Sequence, residues 1–137
     1  MSPVVLTFAP AAEHVRTARL VVVAVARRAG LHESRLDDVR LAVGEMCARA
    51  VSRCGMSRWP ADEHWVIRVE VDDSGPVLDV SVADPAGVVE LPEESITLAM
   101  AAALSDAIEV VTDHRGAPAV VHLRWNRFQP GPGDEPR

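Results

Sequence analysis

Two carboxylates stand out as side chains whose type and setting could do chemistry. Glu45 lies among apolar and small residues over 41–50, where a buried carboxylate could act as a general base. Spacing alone favours a solvated helix face, on which Glu45 pairs with Arg49 four residues later. Asp84 ends an alternating apolar segment and begins Asp-Pro-Ala-Gly. It could accept a hydrogen bond from a ligand, although an Asx turn is the commoner use of aspartate there.

The other reactive residue types give weaker signals. The five histidines have no helical four-residue pairing and no neighbouring cysteine, so we expect solvated or half-buried rings rather than metal ligands. Cys47 and Cys54 are separated by about 10.5 Å along a helix, which is too far for a disulfide. No Ser/His/Asp arrangement is visible along the chain.

The elements that must position these residues follow from periodicity and from the stop signals between segments. Gly30 ends one helical segment, and Ser95 is an N-cap for another. The apolar stripe of that last helix is expected in the core rather than in a partner groove; it consists of Leu98, Met100, Ala101 and Leu104. The predicted elements are a strand over 3–8, helices over 11–29 and 33–54, strands over 65–72 and 78–82, a helix over 95–106, and strands over 108–112 and 121–125.

This order, β-α-α-β-β-α-β-β, predicts an α/β (α+β) fold. The alternation in the strands leaves one sheet face for the helices. We therefore expect a two-layer sandwich, with a mixed, mostly antiparallel sheet covered on one face by three helices. The prediction is a single domain over residues 1–127, followed by a disordered Pro/Gly-rich tail over 128–137.

Composition excludes several classes of protein. The chain has 137 residues, of which 48% are hydrophobic and 25% charged, as in one globular domain. The net charge is −6, and the fourteen basic residues, all arginine, form no basic run, which argues against direct nucleic-acid binding. The longest apolar run, 20–26, is too short to span a bilayer, and no signal-peptide pattern is visible. We expect a cytoplasmic protein without a membrane segment.

Residues 36–50 carry the first landmark of a known family. After Phe-Ala-Pro-Ala at 8–11 and a helix, the chain reads Ala-Val-Gly-Glu at 42–45 and Arg-Ala at 49–50. It resembles, over about residues 4–126, the anti-sigma-factor serine/threonine kinases of the RsbW/SpoIIAB type, a branch of the histidine-kinase-type (GHKL, Bergerat) ATPase fold. In that family, the sequence motif of this stretch is Ala-Val-x-Glu-x-x-x-Asn-Ala. The resemblance implies that Glu45 is the general base, and it places Arg49 where the family has a Mg²⁺-binding asparagine. A guanidinium has no oxygen to offer Mg²⁺.

The second landmark is the family's Asp-x-Gly-x-Gly, in which the aspartate accepts from adenine and the glycines admit the nucleotide. Asp84 matches the aspartate. Ala86 and Val88 replace the two glycines, and Gly87 is out of register.

The third landmark is the family's Gly-x-Gly-Leu-x-Leu, whose backbone amides bind phosphate. The corresponding stretch begins Ser-Ile-Thr-Leu at 95–98, so that Ser95 and Thr97 stand in place of glycines. The β-branched Ile96 and Thr97 are poorly suited to a close approach of backbone to phosphate. The resemblance therefore implies a degenerate ATP site with no resident cofactor, or Mg-ATP if the kinase is active.

The function expected from this resemblance is that of an anti-sigma factor. It would sequester an alternative RNA polymerase sigma factor and be released by a STAS-domain anti-anti-sigma protein. Family members are usually homodimers, and the edge of the first strand could pair across such an interface. Some actinobacterial members of the family have similarly degenerate motifs, and the all-arginine usage suits such a genome; the resemblance therefore implies, as a narrower expectation, a BldG-like partner.

Two alternatives stay open from the sequence. One is an active serine kinase that phosphorylates the STAS partner with Mg-ATP, using Glu45 as base and Asp84 on adenine. The other is a small α/β ligand-binding regulatory domain.

Overall fold

The computed structural model describes residues 3–56, 65–87, 95–112 and 119–128. The described elements follow the predicted order. They are β1 (Val4–Phe8), a 3-10 turn (Ala12–His14), α1 (Val15–Arg28), α2 (Glu33–Met56), β2 (Ile67–Asp72), β3 (Val77–Asp84), α3 (Ile96–Leu104), β4 (Ala107–Val111) and β5 (Ala119–Asn126).

The five described strands form one sheet in the order β1-β2-β3-β5-β4. All four neighbouring pairs are antiparallel, so no parallel pair is present among the described strands. Strands β1 and β4 lie at the two edges. The expected α+β fold, with a mostly antiparallel sheet and three helices, is confirmed, and every described strand pair is antiparallel.

Alternation along the central strands decides which face of the sheet is covered. In β3 and β5 every second side chain is buried, and these residues share a core with α1, α2 and α3. Trp125 is fully buried, and its indole Nε1 donates to the carbonyl oxygen of Leu104 at 2.9 Å. This bond satisfies the one polar atom of the largest core side chain.

The opposite face of the sheet carries polar side chains. Asp79 accepts a hydrogen bond from Arg124 Nε at 2.8 Å, and His122 Nδ1 lies 2.9 Å from the other oxygen of Asp79. Arg124 also donates to Glu109 at 2.7 Å. This cross-strand network follows from the period-two pattern, which turns the alternate residues of β3, β4 and β5 away from the helices.

Several boundaries differ from those predicted. Helix α1 begins at Val15 rather than at residue 11, because Ala12–His14 forms a 3-10 turn first. Helix α3 ends at Leu104 rather than at residue 106, where the Ser105 hydroxyl donates to the Ala101 carbonyl at 2.8 Å. Met100, placed in the core by its spacing, is 48% exposed, because it falls outside the buried stripe of a nine-residue helix.

Some predictions fall outside the described residues. These are Val88, which stands in place of a glycine of the second landmark, and most of the proposed tail. The domain end at residue 127 and the disorder of the tail therefore stay predictions. Within the described residues, no helix has both the length and the apolarity needed to cross a bilayer.

Arg127 ties the end of the sheet to two other parts of the molecule. Its Nε and Nη2 atoms donate to the carbonyl oxygen of Ala29, just after α1, at 2.9 and 2.6 Å. Its Nη1 donates to the carbonyls of Asp73 and Gly75 in the β2–β3 turn, at 2.9 and 2.8 Å. One guanidinium thus satisfies three backbone carbonyls that belong to no helix or strand ladder.

Replacing Arg127 by alanine should lower the free energy of unfolding by about 2–4 kcal/mol, because three half-buried carbonyls lose a charged donor. Urea denaturation measures this. Arg28→Ala, at an exposed site on α1, is the control and should change stability by no more than about 0.5 kcal/mol. Equal stabilities of the two variants would contradict the assigned role.

Candidate functional site

Helix α2 carries three charged residues at four-residue spacing. Glu45, Arg49 and Arg53 therefore follow one another along a stripe of the helix. Glu45 is exposed, whereas Arg49 and Arg53 are half-buried. Of the two environments considered for Glu45, a solvated helix face and a buried site, the structure shows the solvated face.

Asp84 lies at the end of β3 and is 5% exposed. Both of its carboxylate oxygens are engaged. Oδ2 accepts from Arg53 Nε at 2.7 Å, and Oδ1 accepts from the backbone amide of Ala86 at 2.8 Å. The second bond is the Asx turn anticipated from the sequence. The Gly87 amide donates to the backbone carbonyl of Asp84 at 3.2 Å, and Gly87 has φ +95°, a conformation that suits glycine.

The Arg53–Asp84 ion pair is the feature that sequence reasoning missed. The two side chains are 22% and 7% exposed, so solvent screens the pair weakly. A buried carboxylate of this kind needs a partner, because an unpaired charge is costly to bury. The regular 45–49–53 spacing does predict that the three charged residues share one face of the helix. It does not predict that the end of β3, with Asp84, packs against that face.

Arg49 turns towards the start of α3. Its Nη1 lies 3.5 Å from the Ser95 hydroxyl oxygen, a long hydrogen bond. That oxygen also accepts from the Leu98 amide at 3.3 Å, as predicted for an N-cap. Arg49 is therefore directed to Ser95 and not to Glu45. Thr97 is half-exposed in the first turn of α3, and Val88 lies outside the described residues.

Between α2 and the sheet lies a cavity of about 10 Å³, which is the space of one water molecule. Its lining combines two polar residues with apolar ones: Met46, Arg49, Ala50, Val82, Asp84 and Val121. Asp84 and Arg49, which the resemblance assigns to adenine and to the metal, therefore do meet at one site.

Mg-ATP does not fit the described residues as they are arranged. The cavity is far smaller than a purine, and the Asp84 carboxylate is already hydrogen-bonded at both oxygens. Position 49 offers guanidinium donors instead of an oxygen ligand. Within the described ranges, no group of three or more His, Cys, Asp or Glu residues could hold a metal ion.

Both cysteines are buried, and they form no disulfide with each other, as their spacing predicted. Burial raises the pKa of the Cys47 thiol to about 12. Burial, reinforced by the charge of Asp84, also raises the pKa of Cys54. Neither thiol is ionised near neutral pH, so neither is an activated nucleophile.

A second, more open cavity of about 370 Å³ lies beside the edge strand β1. Its lining is mostly apolar and carries no carboxylate; the residues are Leu6, Thr7, Phe8, Ala9, His14 and Thr17. This cavity therefore contains neither the general base expected of Glu45 nor the adenine acceptor expected of Asp84.

A double-mutant cycle on Arg53→Met and Asp84→Asn should give a coupling energy of about 1–3 kcal/mol, because each single change leaves its partner poorly satisfied in a weakly solvated site. Urea denaturation of the four proteins measures the coupling. The matched control is the exposed Arg68–Glu70 pair, at 3.3 Å, for which about 0.5 kcal/mol or less is expected. Coupling at Arg53–Asp84 no larger than in the control would contradict the assignment.

Comparison with known proteins agrees with this architecture. Residues 8–125 match the histidine kinase-like ATPase domain family. No curated protein matches the chain significantly.

Among solved structures, one containing the RsbU and RsbW domains of Rv1364c from Mycobacterium tuberculosis has the same fold, with a TM-score of 0.68 at 21% identity. The alignment covers 92% of this chain and 32% of that one, so this chain spans about a third of the length of the solved chain. Because the family match extends over most of the sequence and the fold agrees, the chain belongs to the histidine kinase-like ATPase domain family.

Proposed function

We propose that the protein is an RsbW-like anti-sigma factor that works by partner switching without a nucleotide. It sequesters an alternative sigma factor and releases it when a STAS-domain anti-anti-sigma protein binds. Family membership and the fold shared with a structure that contains an RsbW domain support the class of protein. The observation that carries the nucleotide-independent part is the engagement of both Asp84 oxygens within the chain.

Partner switching requires surfaces for which two partners compete, and it does not require a catalytic centre. The net charge of −6 suits contact with a basic partner surface. The cytoplasm, where sigma factors act, is the proposed location. A BldG-like STAS protein of an actinobacterium remains the narrower proposal for the partner.

An active serine kinase is the second candidate, and the exposed carboxylate of Glu45 favours it. In that reading, Glu45 prepares the attacking serine hydroxyl of the STAS partner. Against it stand the Arg53–Asp84 pair and the guanidinium at position 49. The third candidate is a regulatory domain with an unrelated small-molecule ligand.

We also propose a homodimer formed through the edge strand β1. Strand β1 (Val4–Phe8) contains no charged residue, and the one adjacent proline, Pro3, lies just outside it, whereas exposed edge strands are usually protected by charge or by proline within the strand. Val5 is 44% exposed on this strand. An uncharged edge of this kind suits pairing with a second copy.

Partner exchange tests the main proposal. The purified chain is mixed with candidate sigma factors and STAS proteins from its own organism, and the complexes are followed by native mass spectrometry in nucleotide-free buffer. We expect one sigma factor to bind and one STAS protein to displace it, because the competing surfaces need no nucleotide. Exchange that occurs only with Mg-ATP would favour the kinase, and binding to neither class would favour the ligand-binding domain.

Restoring the metal-ligand type alone should not create an ATP site. Arg49→Asn supplies an oxygen ligand but leaves Asp84 paired with Arg53 and leaves residues 95–97 without glycine. We expect no saturable Mg-ATP binding by calorimetry up to millimolar concentration. Tight binding by this single variant would contradict our description of the site.

Charge on the β1 edge should weaken the dimer. In Val5→Lys/Thr7→Lys, like charges face each other across paired edges, and we expect the dimer dissociation constant to rise about tenfold or more. Sedimentation velocity measures it. Val111→Lys, on the opposite edge strand β4, is the control and should leave the dimer unchanged. A greater effect of the control would place the interface elsewhere.

A further inference from the structure

Arg53 donates to Asp84 in the way that the amine of a nucleobase would. A guanidinium presents flat N–H donors to a carboxylate, as does the exocyclic amine of a purine. Arg53 Nε makes this contact with Asp84 Oδ2 at 2.7 Å, with an aspartate side chain that is 7% exposed. The carboxylate therefore already has a donor of the kind that a nucleobase would bring.

Arg49 contributes the second part of the arrangement. Its side chain lines the cavity of about 10 Å³, and its Nη1 reaches the Ser95 hydroxyl at 3.5 Å. The other walls, Val82, Val121 and Ala50 among them, are apolar or small. Apolar walls with a carboxylate at one end suit a flat heterocycle that donates an N–H group, but the remaining space holds only one water molecule.

We propose that Arg49 and Arg53 together replace a nucleobase inside this site, Arg53 by occupying the acceptor Asp84 and Arg49 by filling the space beside it. The two arginines are thus the residues that determine the exclusion of adenine. The inference rests on the proposed function without a nucleotide, and it names Arg49 and Arg53 of α2 as the residues that make the nucleotide unnecessary.

Both contacts also join separate elements. Arg53 connects α2 to the end of β3, and Arg49 connects α2 to the start of α3. The end of β3 and the start of α3 lie on either side of residues 88–94 in the sequence. The arginines therefore hold both flanks of that segment to one helix by contacts within the chain itself.

Adenosine is the probe, because it has no phosphate and needs no metal, so it tests this subsite alone. Titration is followed by the backbone amide signals of Val82, Ala86 and Val121 in wild type, Arg49→Ala/Arg53→Ala and the triple variant that adds Asp84→Asn. We expect no saturable change in wild type and a gain in affinity of at least about tenfold in the double variant, since a freed carboxylate gains a donor. The triple variant should lose that gain.

Arg28→Ala/Arg40→Ala removes two exposed arginines and is the matched control; it should behave as wild type. If the double alanine variant does not fold, Arg49→Ala/Arg53→Met still frees the Asp84 carboxylate and the space beside it, and it is judged by the same outcomes. Saturable adenosine binding by wild type at these amides, or none by a folded double variant, would overturn the inference. Partner exchange needs no adenosine, so failure of this inference is distinct from failure of the proposed function.

Discussion

The packing of helix α2 across the buried face of the sheet is the constraint on which the rest of the structure depends. Its apolar stripe, which includes Val39, Val43, Met46 and Cys47, is buried almost completely and fills the space between α1, α3 and the central strands. A stripe that wide leaves the helix one orientation. That orientation places Arg49 and Arg53 over the start of α3 and the end of β3, and so determines what the site can contain.

In the proposed function, the Arg53–Asp84 pair is the contact that lets a nucleotide-type fold work without a nucleotide. A carboxylate that is buried and unpaired is costly, so a site evolved around such a group needs either a ligand or an internal partner. Here the partner is part of the same chain, and it is present before any other protein binds. A protein that switches between partners by competition gains from surfaces that are already in place, because less ordering is required on binding.

Much of the fold could be predicted because it rests on local patterns. Period-two alternation located the central strands, three-and-four spacing located α2, and Ser95 was identified as an N-cap from residue type and position. The contact of Arg53 could not be predicted in the same way, since it joins residues 31 positions apart through a flexible side chain. Arg127 was missed for a similar reason: it adjoins a Pro/Gly-rich stretch, yet its guanidinium reaches carbonyls 52 to 98 residues away.

The central claim is that the described site leaves no room for Mg-ATP, and calorimetric titration of the wild-type chain with ATP, with and without Mg²⁺, tests it most directly. The account predicts no saturable heat at concentrations up to millimolar in either condition. Saturable binding that depends on Mg²⁺ would contradict it, because the pairing of Asp84 with Arg53 and the guanidinium at position 49 would then not exclude the nucleotide.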